Sequence, residues 1–231
     1  MMPDFARVVR EACADALALI LPVSCAGCDE PDVALCERCA LALTPDPTRQ
    51  LVEAPGGAVA VWSGLAFDGV AARVLRVIKE EGRTSLAVAL GPAIAEALAR
   101  AGAADAVLVP MPTSRQAHRR RGYRVPELLV RRSGGRPVRL LRYARRTSDQ
   151  RGLDRDARAR NVAHSLVAAD AVGRRVVVVD DVVTTGASIA EAVRALRAAG
   201  ADVVAAVTAA ATPRRRSTAG ERLLDAFETH R

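Results

Sequence analysis

Residues 176–188 read VVVVDDVVTTGAS, and this stretch is the strongest indication of the fold in the sequence. Four consecutive β-branched residues, Val176 to Val179, are typical of a strand that is covered on both faces of a parallel sheet. Residues 188–199 then follow a helical pattern that ends at Gly200, and residues 203–211 form another apolar run. Because such strands alternate with helices, the sequence predicts right-handed βαβ units and an α/β fold.

Two adjacent acids, Asp180 and Asp181, directly follow the valines. Open α/β sheets bind ligands at the carboxyl ends of their strands, so we expect this acid pair to lie in a ligand site. Neighbouring carboxylates repel each other and lose hydration on burial unless they accept hydrogen bonds from hydroxyls or face a cation. The 2′ and 3′ hydroxyls of a ribose and Mg²⁺ both meet that requirement.

The turn after the acids is rich in small and hydroxyl-bearing residues, namely Thr184, Thr185, Gly186, Ala187 and Ser188. The first N–H groups of a helix have no internal partner, and the helix dipole favours negative charge there. Glycine lets the backbone turn tightly, and the hydroxyls add donors, so the turn predicts a cradle for a phosphate monoester. A strand that simply ends in a capped helix is the alternative. The coincidence of strand, acids, turn and helix favours the ligand site.

Four cysteines form two C-x2-C pairs: Cys25 with Cys28, and Cys36 with Cys39. Two such pairs predict a tetrahedral Zn²⁺ site, closed by protein thiolates and therefore structural. Reduced structural cysteines and a redox couple are the alternatives. Zinc would supply the folding energy that so small a module lacks. We expect residues 1–48 to form an N-terminal helix with this module, and residues 49–231 to form the α/β domain.

The chain has 231 residues and a formal net charge of +8, which attracts polyanions such as phosphates, pyrophosphate or nucleic acid without choosing among them. The apolar run at residues 16–23 is too short to span a bilayer. Acidic residues close before it argue against a signal peptide. We therefore expect a cytoplasmic protein without membrane insertion.

The remaining elements are predicted from periodicity and from the positions of proline and glycine. The predictions are a helix at 3–20, a linker at 45–57, a hairpin at 58–68 with its bend at Ser63-Gly64, helices at 70–81 and 86–101, a strand at 106–109, a loop at 110–122, a helix from 126 to 132 and a weak strand at 138–143. Pro92 falls in the early part of the second of these helices, which suggests a later start for it.

Residues 176–188 resemble the motif with which type I phosphoribosyltransferases bind 5-phosphoribosyl-1-pyrophosphate (PRPP). The chain as a whole resembles the ComF/GntX family, in which such a domain follows a zinc-binding module. The other matching positions, in family order, are Leu21-Pro22, Lys79 with Gly82, Val109 to Pro112, Arg121-Gly122-Tyr123, Thr147 with Gln150, and Arg158 with Asn161. The chain departs from the family at Arg124 and Val125, where Asn-Gln is usual.

The resemblance implies a type I phosphoribosyltransferase fold, a parallel twisted sheet flanked by helices, with Mg²⁺ bound together with PRPP. It implies that Asp180 and Asp181 are catalytic and that residues 184–188 bind the ribose 5-phosphate. The pyrophosphate candidates are Lys79, Met111, Pro112, Arg115 and Arg121. For any one of these arginines, a solvated basic loop is the alternative.

Two functions remain open at this point. The first is a Mg²⁺-dependent transferase that joins ribose 5-phosphate to a nitrogen acceptor. The second, implied by the family name, is a component of the DNA-uptake machinery that binds PRPP or a nucleotide without turning it over. Its partners would be single-stranded DNA or the DNA-uptake helicase machinery. The few aromatic residues, 3% of the chain, argue against strong base stacking.

Overall fold

The computed structural model describes residues 23–144 and 164–213. The helices within these ranges are α1 (Glu37–Leu41), α2 (Gly69–Glu80), α3 (Ala87–Ala101), α4 (Arg115–Arg121), α5 (Val125–Arg132) and α6 (Ala187–Ala198). The strands are β1 (Thr48–Val52), β2 (Val59–Ala66), β3 (Val107–Pro110), β4 (Leu141–Tyr143), β5 (Leu166–Ala168), β6 (Arg175–Val183) and β7 (Asp202–Ala211).

The main sheet has the strand order β1-β2-β7-β6-β3. Strands β2, β7, β6 and β3 are mutually parallel, whereas β1 pairs antiparallel with β2 at one edge. The predicted α/β class is confirmed, and the expected parallel sheet is corrected to a mixed, mostly parallel one. A second, two-stranded sheet joins β4 to β5.

The valines of β6 lie at the centre of two hydrophobic layers. Val177 and Val179 pack with α2, α3 and α5 on one face, and Val176 and Val178 pack with α6 on the other. All four are fully buried, because successive side chains of a strand point to opposite faces and both faces are covered. The apolar run therefore predicted the central strand correctly.

The predicted hairpin at 58–68 is wrong, since β2 runs straight through Ser63 and Gly64. The Ser63 hydroxyl is buried, 2.7 Å from that of Thr208 on β7. Gly64 allows α3 to approach, because a Cβ there would lie 2.3 Å from the carbonyl oxygen of Ala93. The hairpin instead joins β1 to β2, and its turn contains Gly56 and Gly57 at positive φ. Part of the predicted linker is thus strand β1.

Two further predictions change along the middle of the chain. Residues 115–121, predicted as loop, form α4, which begins after Ser114, whose hydroxyl accepts a hydrogen bond from the amide of Ala117. Helix α3 begins at Ala87, after a 3-10 turn at Thr84–Leu86, so Pro92 lies inside the helix rather than delaying its start.

Several predictions lie outside the described residues: the helix at 3–20, the Leu21-Pro22 pair, and the positions Thr147, Gln150, Arg158 and Asn161. Among the described residues, no helix combines the length and the apolar character needed to cross a membrane.

Candidate functional site

An open depression lies at the carboxyl edge of the main sheet, where β6 ends and α6 begins. Asp180 and residues 182–189 line it, and about 210 Å³ of space lies between them, part of which is open solvent. Thr184, Thr185, Ala187 and Ser188 are exposed in it. One acid of the predicted pair and the predicted phosphate turn thus face the same space, and side chains do not plug the turn.

Gly186 shapes the turn through its backbone. Its φ of +86° is one that residues with a Cβ rarely adopt, and a Cβ there would lie 2.7 Å from Cγ2 of Val52 on β1. Helix α6 begins at the next residue, and its N-cap residue, Gly186, has no side chain that could cap it. The amide of Ala187 donates a long hydrogen bond of 3.4 Å to the Thr185 hydroxyl, and the helix start as a whole, with its dipole, is suited to an anion.

The acid pair is electrostatically strained. Burial, and then the charge of Asp181, raises the pKa of Asp180 to about 8, although the amide of Asp181 donates to the Asp180 carboxylate over 2.8 Å. An acid in this state gains from any ligand that donates hydrogen bonds to its ionised form.

Lys79 reaches the acid pair from the last turn of α2. Its Nζ lies 2.6 Å from Oδ2 of Asp181, and the two side chains are 28% and 15% exposed. The chain has 34 lysine and arginine residues, and Lys79 is the one lysine among them. The ammonium group of Lys79 is a compact point charge, unlike the planar guanidinium of an arginine.

The segment after β3 lies beside Asp180, because β3 and β6 are parallel neighbours with Pro110 opposite Val179. The amide of Met111 donates to the carbonyl oxygen of Val179 over 2.8 Å, and its side chain is buried in the core. The amide and the side chain of Met111 are therefore both engaged within the protein, while Pro112 is half-buried at the start of the loop.

Helix α4 carries the predicted arginines at its two ends. Arg115 is exposed at the first position of α4, and Arg121 is half-buried at the last. Within residues 23–144 and 164–213, the buried Nε of Arg121 and the buried Nδ1 of His118 have no hydrogen-bond partner. A polyanionic ligand near α4 would give the guanidinium of Arg121 an acceptor.

The two residues that depart from the family pattern have structural partners. Val125 begins α5 and is 1% exposed within the main core, so its side chain does not face the depression. The Nε of Arg124 lies 3.6 Å from the Glu127 carboxylate, which Arg139 also holds through two 2.7 Å hydrogen bonds. The replacement of Asn-Gln is therefore accommodated by packing and by an ion-pair cluster.

Tyr143, at the end of β4, adds an aromatic side chain to the neighbourhood of the acids. It is 45% exposed, and burial followed by the negative charge of Asp180 raises its pKa. The β4–β5 sheet is fixed to α6, because Glu191 accepts from the amide of Leu166 and Arg194 donates to the Leu166 carbonyl. From the sequence, Tyr143 was only one of few aromatics in the chain, and Val52 beneath Gly186 carried no signal at all.

The four cysteines come together as predicted, with their sulfur atoms all within 4.8 Å of one another. The sulfurs of Cys28 and Cys36 are 3.6 Å apart, and tetrahedral Zn–S bonds of about 2.3 Å imply a separation of about 3.8 Å. Burial opposes ionisation of Cys25, but amide donors led by Cys36 outweigh it and lower its pKa to about 6. Burial and the neighbouring sulfurs raise the pKa of Cys39 to about 12. The cluster thus has the donor set and spacing of a metal site such as zinc.

Parts of the chain are similar to known phosphoribosyltransferases. Residues 121–225 match the family model of the phosphoribosyl transferase domain. That range contains the acid pair, the phosphate turn and the α6 helix start. The chain is also 52% identical, over 52 residues, to an orotate phosphoribosyltransferase from a Nocardioides species. This second match spans 22% of the chain and 27% of the length of that relative.

Proposed function

We propose that this protein binds PRPP in the depression at the end of β6. One observation supports this above all: Asp180, the hydroxyl-rich turn and the start of α6 line one open depression at the edge of the sheet. Residues 184–188 would hold the 5-phosphate, and Asp180 with Asp181 would accept hydrogen bonds from the ribose hydroxyls. The family match over residues 121–225 supports the same assignment.

The reaction that this arrangement favours is transfer of the phosphoribosyl group to nitrogen. A new bond forms between the acceptor nitrogen and C1 of the ribose, while the C1–O bond breaks and its electron pair leaves with pyrophosphate. The ribose carries positive charge as the bonds exchange, and the acid pair would stabilise that charge. The loop after β3, Lys79, Arg115 and Arg121 are the candidates that would hold the pyrophosphate.

The oxygen-rich acid pair fits Mg²⁺, a cation that prefers carboxylate, phosphate and water ligands. Bound with PRPP, Mg²⁺ would neutralise the charge that develops on pyrophosphate. The chain's own residues would hold the ribose at both ends, orient C1 towards the acceptor and limit the access of water.

Calorimetric titration with PRPP and Mg²⁺ tests binding. We expect the pair Asp180→Asn and Asp181→Asn to weaken PRPP binding by roughly tenfold or more while the fold is retained, since each lost charge-assisted hydrogen bond is worth about 1.5–3 kcal/mol. Asp105→Asn is the matched control, because Asp105 pairs with Arg175 at the amino ends of β3 and β6, away from the depression at their carboxyl ends. Equal PRPP affinities for wild type, the double variant and Asp105→Asn would contradict the assignment of the acid pair to the ribose hydroxyls.

Pyrophosphate release separates a transferase from a binding protein. Orotate is the first acceptor to test, because the relative from Nocardioides is an orotate phosphoribosyltransferase. Release that depends on an acceptor supports catalysis. PRPP binding without release, over a panel of nitrogen heterocycles, supports the non-catalytic alternative.

A role in DNA uptake, on single-stranded DNA or its helicase machinery, is the second candidate. The observation in its favour is the concentration of arginines on α4 and at the end of α5, where Arg131 and Arg132 are exposed. Such cations bind phosphate backbones with strong salt dependence. A mobility-shift titration at physiological salt that retains no single-stranded DNA would exclude the DNA-binding form of this role. We also propose that the four cysteines bind Zn²⁺ and that residues 1–48 form the N-terminal domain that contains them.

A further inference from the structure

The four-cysteine module, residues 24–43, packs on helix α2 at both ends of the helix. Near the start of α2, a Cβ on Gly27 would lie 3.0 Å from Cγ1 of Val70, so glycine allows close approach there. One turn later, Nη2 of Arg73 lies 2.5 and 2.6 Å from the two carboxylate oxygens of Asp29. The module therefore fixes the first half of the helix.

Arg83, just beyond α2, makes the attachment at the other end. Its guanidinium donates to the carbonyl oxygens of Ser24 over 2.9 Å and of Ala34 over 3.0 Å. Ser24 precedes the first cysteine pair and Ala34 precedes the second, so one side chain joins both arms of the module to the chain that leaves α2. The planar fork of arginine suits two acceptors held apart in this way.

Lys79 lies between these attachments and points to the acid pair. It is four residues before Arg83 and six after Arg73, and its Nζ contacts Asp181 over 2.6 Å. The adjacent residue, Ile78, is fully buried, and its carbonyl oxygen accepts a hydrogen bond from the Tyr123 hydroxyl. The position of the ammonium group at Asp181 thus depends on how α2 is held.

We propose that the four-cysteine module positions Lys79 in the PRPP site, with Arg83 and Arg73 as the positioning residues that transmit its hold on α2. The inference rests on the proposed function for the ligand, but the placement of Lys79 is a property of the protein alone. The module would then contribute to ligand binding from outside the pocket, without contacting the ligand.

Arg83→Met tests the attachment, because it removes both hydrogen bonds and leaves every cysteine and the whole depression unchanged. We expect the zinc content to stay at the wild-type value and the Kd for PRPP to rise roughly fivefold, the lower end of typical coupling between separate sites. Arg76→Met is the control, since Arg76 lies on the same helix and is exposed. An unchanged Kd in Arg83→Met would overturn the proposal.

A double-mutant cycle distinguishes positioning from a general loss of stability. Lys79→Met alone should weaken PRPP binding, and adding Arg83→Met should then change the Kd by less than about twofold, because the residue that is positioned has gone. Independent effects that multiply in the double variant would show that Arg83 does not act through Lys79, and would overturn the proposal.

Chemical labelling tests the placement of Lys79 without PRPP. The chain's one lysine is the sole side-chain amine that a succinimidyl ester can acylate, and the N-terminal amine is an internal reference. We expect Lys79 in Arg83→Met to acylate several times faster than in wild type, and Arg76→Met to match wild type, since release from Asp181 frees the amine. Equal rates in all three would contradict the proposal even if PRPP binds, whereas faster labelling in a protein that does not bind PRPP would refute the proposed function alone.

Discussion

Gly186 is the residue on which the shape of the phosphate turn depends. Replacing it with alanine places a Cβ at positive φ, at a cost of about 1–2 kcal/mol, and drives that Cβ into Val52, where overpacking adds about 1–3 kcal/mol. We expect Gly186→Ala to lower the free energy of unfolding by roughly 2–5 kcal/mol and to weaken PRPP binding by about tenfold or more. Urea unfolding and calorimetry measure the two effects.

The control for Gly186→Ala is Gly57→Ala in the β1–β2 turn. Gly57 also has positive φ, but no atom lies within 4 Å of its added Cβ. Gly57→Ala should lower the free energy of unfolding by the backbone cost alone, without the overpacking cost, and should leave the PRPP affinity unchanged. Equal loss of affinity in both variants would mean that the effect is one of stability and not of turn geometry.

Asp180 predicts how ligand binding depends on pH. Its folded-state pKa of about 8 lies above the ordinary 3.8, so between these values the folded protein keeps a proton that the unfolded chain has lost. Stability therefore falls as pH rises through this window, and a ligand that needs the ionised acid must displace the proton. We expect PRPP affinity to rise from pH 6.5 towards 8 and to level off above it.

Calorimetry in buffers of different ionisation enthalpy would detect the released proton directly. Asp180→Asn should abolish that proton release and flatten the profile, although any titration of the PRPP phosphates remains in both proteins. A profile that is identical in wild type and Asp180→Asn would contradict the assignment of the raised pKa to the binding step.

Among elements, α6 connects the phosphate turn to the small β4–β5 sheet. The Glu191 carboxylate is 4% exposed and receives two hydrogen bonds from Arg194, of 2.7 and 2.9 Å, and one from the amide of Leu166. Glu191→Ala removes the acceptor of the Leu166 amide, while the partly exposed Arg194 keeps its hydrogen bond to the Leu166 carbonyl. A buried donor left without a partner costs about 1–3 kcal/mol. We expect a corresponding loss in the free energy of unfolding, measured by urea titration.

Glu96→Ala is the control for this element. It breaks an exposed pair with Arg100 on α3, four residues apart, and such a pair contributes about 0.3–0.5 kcal/mol. A loss for Glu191→Ala as small as that for Glu96→Ala would show that α6 and the β4–β5 sheet are held together by apolar packing and not by this cluster.

The elements also show where sequence patterns succeed and fail. β6 was predictable because burial on both faces demands an unbroken apolar run, and α2 because one face of a helix must be apolar. β1 was not, since this edge strand is largely exposed and its residues, TRQLV, follow no strong alternation. The Ser63-Gly64 pair led to a wrong prediction because serine and glycine are also common in turns. In β2 the Ser63 hydroxyl pairs with Thr208, and Gly64 allows the close approach of α3.

At the scale of the whole molecule, features that are local in the sequence were predictable and contacts between distant residues were not. The cysteine spacing and the DDVVTTGAS stretch are local, so the sequence predicted the four-cysteine cluster and the strand and helix on either side of the turn. The contact of Lys79 with Asp181 joins residues 102 positions apart, and the support of Gly186 by Val52 joins residues 134 apart. Only the tertiary packing of α2 and β1 around the end of β6 brings these residues together, which is why the sequence named Lys79 as a candidate without its partner.

Metal content tests how far the whole molecule depends on the four-cysteine cluster. Ala26 and Leu43 of the module are buried in the same core as α2 and α3, so loss of the metal should disturb that core as well as the module. We expect close to one zinc per chain, and a lower Tm after a strong chelator removes it, because metal that binds the folded state alone stabilises that state. Elemental analysis and calorimetry measure both.

Cys36→Ser removes one thiolate from the cluster and should lower both the zinc content and the Tm. Cys13→Ser is the matched control, since it removes a cysteine from the sequence outside the two C-x2-C pairs and should retain one zinc per chain. Freshly purified wild-type protein with all five thiols reduced and no zinc would contradict the metal assignment. Zinc loss without a change in Tm would leave the metal site in place and refute its structural role, because the core that Ala26 and Leu43 share with α2 and α3 would then hold without the metal.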